Sequence, residues 1–144
     1  MSERHFFPGD SSWVPADDGV TNGQSVTFQG VGKGGYGGGG DTIVQTGGGG
    51  GSGAFASVTV IVADASATYS IGVAQLNLGA LTFVDAPDIT RILEAGSGET
   101  GGVGFLPAGG AKGVFTIGDF GYDGEDGGAG GDRKSTRLNS SHRL

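Results

Sequence analysis

The chain has 144 residues, of which 34 are glycine and none is cysteine, and its formal net charge is −7. The lack of cysteine excludes disulfide scaffolds, zinc knuckles and thiolate chemistry, and 15 acidic against eight basic residues leave no basic surface for nucleic acid. The most apolar stretch, residues 54–63, is too short to cross a bilayer, so we expect no nucleic-acid partner and no membrane insertion.

Short runs of alternating apolar and polar residues predict β-strands along the chain. The N-terminal segment, residues 1–24, carries Phe6, Phe7 and Trp13 beside turn residues at 8–10 and 17–19. No window keeps a helical period over three turns, so we expect an all-β fold of short antiparallel strands with essentially no helix. Strands are predicted at residues 25–29, 42–46, 54–63, 68–74, 81–84, 88–94 and 114–117.

The clearest predicted strand is residues 54–63, which is apolar on both faces. The residues that alternate along it are Val58, Val60 and Val62 on one face and Phe55, Thr59 and Ile61 on the other. We therefore expect both of its faces to be covered. The turn residues 64–67 favour a hairpin in which residues 68–74 pair with this strand. Residues 88–94 fit a strand or one helical turn, and their β-branched content favours a strand.

Glycine recurs with a period of three in several glycine-rich stretches. In the first stretch Gly32, Gly35 and Gly38 share one phase, and the side chains of Lys33 and Tyr36 fall in another. The third phase holds Gly34, Gly37 and Gly40, and the last stretch has glycine at positions 118, 121, 124, 127 and 130. The five stretches are residues 30–40, 47–53, 96–104, 109–113 and 118–131.

Three residues per turn is the period of a polyproline-II helix, and a face made only of glycine lets neighbouring backbones approach closely. This pattern predicts that the stretches pack as a glycine-rich, polyproline-II-like sandwich within a domain of residues 25–131. An ordinary glycine-rich linker would instead be a flexible coil. Aromatic residues in or beside the stretches favour order, because a linker does not need them.

The last thirteen residues differ from the rest of the chain: they hold no glycine and four of the eight basic residues. Residues 132–142 resemble the translation of a common sequencing-library adapter, with eleven consecutive residues in agreement. We therefore expect residues 132–144 to be a non-native, disordered tail and the natural chain to be truncated near residue 131. Residues 1–131 contain four basic and 14 acidic residues, a formal net charge of −10.

The order of the motifs resembles the glycine-rich domain of tailed-phage tail-fibre and adhesin proteins. Phe7 and the sequence Trp13-Val14-Pro15 come first, followed by the short strand at 25–28 and polyglycine. Ala54-Phe55-Ala56, the strand at 58–62, the strand at 69–73 and a closing glycine-rich block then complete the layout. The chain departs from the family pattern in an acidic insertion at 17–23 and in a longer, more apolar segment at 74–94.

This resemblance implies a non-enzymatic structural and receptor-binding domain of a phage tail fibre or a similar surface adhesin. Its place would be the tail of the virion, its partners a host cell-surface receptor and other tail-fibre subunits, and it would need no cofactor. In such adhesins, loops that interrupt a glycine-faced sandwich contact the host surface. By position, the implied receptor contacts are Lys33, Tyr36, Phe105, Leu106, Phe120 and Tyr122.

Two other functions fit parts of the sequence. Residues 121–126 and 127–132 partly match the calcium-binding nonapeptide of secreted β-roll proteins, which would place the protein outside the cell. The metal ligands would then be Asp119, Asp123, Glu125 and Asp126, although without tandem repeats these residues also fit a solvated acidic surface. The other function is that of a disordered glycine-rich spacer.

Catalysis is not expected, because His5 is the only histidine before the tail and no apolar wall stands beside the paired carboxylates to raise a pKa.

Overall fold

A computed structural model describes residues 3–39, 47–75, 81–103 and 107–130, and it confirms the predicted all-β fold class. One 3₁₀ helix, Pro15–Asp18, is the only helix in these ranges, and none of them contains a helix long and apolar enough to cross a membrane. The strands are β1 Gly9–Trp13, β2 Ser25–Val31, β3 Phe55–Ile61, β4 Tyr69–Val73, β5 Leu81–Asp85, β6 Arg91–Gly96, β7 Phe115–Ile117 and β8 Phe120–Tyr122.

The strands form two antiparallel sheets that pack face to face. One sheet has five strands in the order β1-β4-β5-β6-β7, and the other has three in the order β2-β3-β8. The core between them is built by alternation along each strand, which places every second side chain inside. Trp13, Phe28 and Tyr69 form its aromatic part, with ring centroids 5.4–5.8 Å apart. Leu93 is its largest fully buried side chain.

The predicted hairpin between residues 54–63 and 68–74 is wrong. β4 pairs with β1 and β5, whereas β3 pairs with β2 and β8. The turn after β3 carries the chain to the other sheet, and Ala65 fixes this crossing because its carbonyl accepts from the Ala16 N–H and its N–H donates to Asn22 Oδ1. Tyr69 and Ile71 are thereby buried in the core between the two sheets, where Tyr69 packs against Phe28 of β2.

The expectation that both faces of β3 are covered is also wrong. Ala56 and Val58 are buried, but Ile61 is 72% exposed and Phe55 is only half-buried in the described part of the chain. The reason is that the five-stranded sheet covers one face of the three-stranded sheet and leaves the other open. The sequence analysis also missed β1 and β8, while the strand predicted at 42–46 lies outside the described residues.

Five glycine-rich segments continue directly from strands of the two sheets. Segment I follows β2, segment II precedes β3, segment III follows β6, segment IV precedes β7 and segment V follows β8. These segments comprise residues 32–39, 47–54, 97–103, 107–114 and 123–130, respectively. None of them has the hydrogen bonds of a helix or a β-ladder, and each lies alongside at least two others.

Backbone hydrogen bonds join the segments at every third residue. The N–H groups of Gly32, Gly35 and Gly38 donate to the carbonyls of Ala54, Gly51 and Gly48 at 2.7–2.8 Å. Segment II in turn donates to III and V and accepts from I and IV, so it forms the centre of the sandwich. A repeat of three is that of polyproline II, as the glycine spacing predicted.

The phases of the first glycine stretch have different surroundings. A Cβ at Gly32, Gly35 or Gly38 would overlap the backbone of residues 96–102, while a Cβ at Gly34 or Gly37 would only meet a carbonyl oxygen at 3.7 Å. Lys33 and Tyr36 occupy the remaining phase, in which the side chain of Tyr36 points outward and is exposed. In the last stretch, glycines 124, 127 and 130 face segment II, but Gly118 and Gly121 belong to the β7–β8 hairpin. The period of three therefore continues across two kinds of structure.

The carboxylate of Asp18 holds the start of the chain onto the core. Its Oδ2 accepts from Trp13 Nε1 at 2.6 Å, and Arg4 also donates to it. These bonds, with that from Trp13 contributing most, lower the pKa of Asp18 below its ordinary 3.8. A lowered pKa stabilises the fold above the ordinary value, and this stabilisation is lost as the pH falls below it.

We expect Asp18→Asn to lower the free energy of unfolding at neutral pH and to have a smaller effect at acidic pH, because the wild-type carboxyl becomes protonated as the pH falls below its ordinary pKa. Urea unfolding followed by Trp13 fluorescence at both pH values measures this difference. Asp17→Asn is the matched control, because the Asp17 side chain makes no hydrogen bond to the described residues, and it should have little effect at either pH. A difference between the wild type and the Asp18→Asn variant that is independent of pH would contradict this role.

Ile89 occupies a strained position at the tip of the β5–β6 hairpin. Its φ of +64° lies in the left-handed region and its side chain is 88% exposed, so a conformation costing about 1–2 kcal/mol gains no packing in return. We expect Ile89→Gly to raise the free energy of unfolding by about 0.5–1 kcal/mol, measured by urea unfolding. Ile89→Ala removes the side chain but keeps a Cβ, so a gain as large as that from glycine would contradict backbone strain as the cause.

Candidate functional site

The open face of the three-stranded sheet carries a cluster of aromatic side chains. β8 pairs with β3 so that Tyr122 lies opposite Phe55 and Phe120 lies opposite Ser57. The rings of Phe55 and Tyr122 stack with centroids 5.2 Å apart, and Phe120 packs edge-on against both at 6.2 and 6.3 Å. Phe120 is 61% exposed and Tyr122 is 59% exposed. Large aromatic area at this exposure is typical of contact surfaces rather than of cores.

The strand pairing extends this cluster across the sheet. Val31, 60% exposed, lies opposite Phe55 on the other side from Tyr122. Gln29 lies opposite Ser57, which places it in the row of Phe120. We call the outward side of these two rows the aromatic face; it comprises Gln29, Val31, Phe55, Ser57, Phe120 and Tyr122.

Lys33 and Tyr36, two of the implied receptor contacts, form a separate pair on segment I. The Lys33 ammonium lies 4.3 Å from the centre of the Tyr36 ring and donates to its hydroxyl at 3.2 Å. Their spacing of three residues places both side chains on one side of a polyproline-II helix. Tyr36 is 51% exposed, and no ring contact joins this pair to the aromatic face within the described residues.

The structure therefore brings the implied receptor contacts together as two separate pairs, Phe120 with Tyr122 and Lys33 with Tyr36. Phe105 and Leu106, the remaining two, lie outside the described residues. The sequence analysis did not assign a contact role to Phe55 or Val31. The signal for Phe55 was present, because alternation along its strand placed it on the face of Thr59 and Ile61, which proved to be open.

The acidic residues considered as metal ligands mostly accept hydrogen bonds from the backbone. Asp119 accepts from the Thr59 N–H, Asp123 from the Phe115 N–H and Asp126 from the Lys112 N–H, at 2.9–3.0 Å. The bond from Phe115, assisted by the side chain of Lys112, lowers the pKa of Asp123. Glu125 takes part through its backbone, donating to Ser52 Oγ. Among residues 3–39, 47–75, 81–103 and 107–130, no three histidine or acidic side chains converge as a metal site would require.

The arrangement offers a hydrogen-bonded frame with exposed aromatic side chains, which suits contact with another molecule. Comparisons of this chain with protein-family models, with curated proteins and with solved structures found no match.

Proposed function

We propose that this chain is a non-enzymatic structural and receptor-binding domain of a phage tail fibre or a similar surface adhesin. Its site of action would be the virion tail, where it would bind other fibre subunits and a host cell-surface receptor. The observation that carries the proposal is the glycine sandwich, in which glycine at every third position lets five segments hydrogen-bond to one another. This is the architecture that the resemblance to phage adhesins implies.

The sandwich also suits the presentation of receptor-contacting residues at one of its ends. Hydrogen bonds near Gly38, Gly48, Gly102 and Gly130 mark the end of the sandwich away from the strands. Segments I and II run antiparallel, as do III and IV, so residues 39, 47, 103 and 107 lie at that end. A frame held by backbone hydrogen bonds tolerates changes of side chain at its end, because the groups that form these bonds belong to the backbone.

The alternatives have less support. A flexible spacer does not require the hydrogen bonds that link segment II to the other four. A calcium-dependent β-roll requires converging carboxylates, whereas Asp119, Asp123 and Asp126 each accept from a backbone N–H. A large gain of β-sheet circular dichroism on adding calcium would nevertheless support the β-roll and contradict the proposal.

The proposal is tested by sequencing the source DNA through codon 131 and into the neighbouring genes. We expect virion genes beside this reading frame, and their relatives identify the host. Fluorescently labelled protein should then bind that host's cells, whereas an unrelated protein of similar negative charge should not. Neighbouring genes without a virion function, or no binding to the host, would overturn the proposal.

A further inference from the structure

We propose that the aromatic face binds an uncharged oligosaccharide. This inference rests on the proposed receptor-binding function and assigns a chemical class to the molecule bound. Four properties of the aromatic face carry it: the exposure of its rings, the uncharged polar side chains beside them, the absence of charged residues from its two longer strands, and its size.

The rings leave apolar surface open for stacking. Tyr122 uses one ring face against Phe55, and β8 is the edge strand of its sheet, so no further strand covers the other ring face in the described part of the chain. Phe120 stands nearly perpendicular to Tyr122, at 76°, and the two rings together form an aromatic corner. The electron-rich faces of such rings attract weakly positive C–H groups, which line the faces of sugar rings.

Uncharged polar groups accompany the rings. Gln29 and Ser57 lie in the row of Phe120, and their side chains make no hydrogen bond to other described residues. The hydroxyls of Thr27 and Thr59 pair with each other at 2.8 Å in the next row. An amide and hydroxyls beside aromatic rings suit a ligand that offers hydroxyl groups along with its apolar faces.

Charge favours a neutral ligand. β2 and β3 contain no charged residue, whereas residues 1–131 carry a net charge of −10. Asp119 and Asp123 flank β8 and accept backbone hydrogen bonds, and Asp123 is also paired with Lys112 at 3.3 Å, whereas Asp119 has no ion pair with the described residues. A phosphate- or uronate-bearing ligand would be repelled over about a Debye length, while an uncharged one pays no such penalty.

Size favours a small ligand over a second copy of the chain. Three strands of at most seven residues limit the whole outer side of this sheet, of which the aromatic face is a part, to about 20 by 14 Å, or roughly 300 Å², at ordinary strand dimensions. A stable protein–protein interface buries about 800 Å² on each partner. The aromatic face is therefore too small for a stable dimer, but it accommodates an oligosaccharide of a few sugar rings.

The test measures binding of neutral gluco-, galacto-, manno- and N-acetylglucosamine oligosaccharides, with uronic-acid oligomers for comparison, by protein-observed NMR. We expect at least one neutral oligosaccharide to shift the amide signals of Phe55, Ser57, Phe120 and Tyr122, and the uronic-acid oligomers to bind more weakly. Tyr122→Ala should weaken binding about tenfold, and so should Tyr122→Leu, which keeps apolar bulk without a ring. Tyr122→Trp should retain binding.

Phe7→Ala is the matched control, because Phe7 is an aromatic residue that is 80% exposed and belongs neither to the aromatic face nor to the implied receptor contacts, and it should leave binding unchanged. No binding by any neutral oligosaccharide of the panel, or equal losses in Phe7→Ala and Tyr122→Ala, would overturn the inference. Self-association of the wild type that Tyr122→Ala abolishes would overturn it too, by assigning the face to a second copy. Host-cell binding that survives Tyr122→Ala would reject the oligosaccharide site while leaving the receptor-binding function intact.

Discussion

Gly35→Ala should destabilise the protein by about 3 kcal/mol or more, because the new methyl group has no space. A Cβ at Gly35 would overlap the carbonyl of Glu99 on segment III. That carbonyl cannot move freely, since it accepts from the N–H of Gly51 at 2.9 Å, and the carbonyl of Gly51 accepts from Gly35 itself at 2.7 Å. One methyl group therefore disturbs the hydrogen bonds of three segments together.

The neighbouring glycine provides the control for this substitution. At Gly34 the nearest atom to an added Cβ is the Gly51 carbonyl oxygen, at an ordinary 3.7 Å. Gly34→Ala should leave the free energy of unfolding unchanged or raise it by up to about 1 kcal/mol, because alanine restricts the unfolded chain. Urea unfolding of both variants measures the contrast. Equal effects at the two positions would contradict the packed arrangement of segments I and III.

Leu93→Ala should lower the free energy of unfolding by about 2–5 kcal/mol. Leu93 is fully buried in β6 between the two sheets. It packs so close to β2 that a Cβ at Gly30 would come within 3.0 Å of its Cδ2. Removing its side chain leaves a cavity under β2, which the strands can close only by moving together.

Leu81→Ala is the matched control for the core. Leu81 lies on the adjacent strand β5 and is 37% exposed, so its removal should cost about 1 kcal/mol or less. Chemical unfolding of both variants gives the comparison. A loss at Leu93 no larger than that at Leu81 would mean that the two sheets do not enclose a common core.

Local periodicity in the sequence was sufficient to predict the local conformation of much of the chain. Alternation identified β2, β3 and β4, and the period of three separated the inward Gly35 from the outward Tyr36. The pairing of β4 was not predictable in this way, because a period gives the geometry of a segment and not its partner. Tyr69 reaches its core position only because Ala65 directs the chain to the other sheet.

Two strands were missed for physical reasons that differ. β1 begins Gly9-Asp10-Ser11-Ser12, residues that favour turns, and tertiary pairing with β4 overrides this preference. β8 lies in a run where Gly118 and Gly121 keep the same spacing as the glycines of segment V. Gly118 serves a hairpin with φ of +152°, and Gly121 makes room for the ring of Phe115. One spacing therefore met two structural requirements, and the sequence did not distinguish them.

The candidate site was predictable as single residues but not as a cluster. Phe120 and Tyr122 were identified because they interrupt a glycine-rich stretch. Their partner Phe55 lies more than sixty positions earlier, and it meets them only through the pairing of β3 with β8. Such a long-range contact has no counterpart in the local sequence pattern.

The ordered glycine sandwich is tested most directly by amide hydrogen exchange of segment I, followed by NMR. The N–H groups of Gly35 and Gly38 donate to segment II, whereas those of Gly34 and Gly37 have no backbone acceptor among the described residues. We expect slow exchange at Gly35 and Gly38 and fast exchange at Gly34 and Gly37, a protection pattern that repeats every third residue. Uniformly fast exchange along the segment would contradict the sandwich and identify it as a flexible spacer.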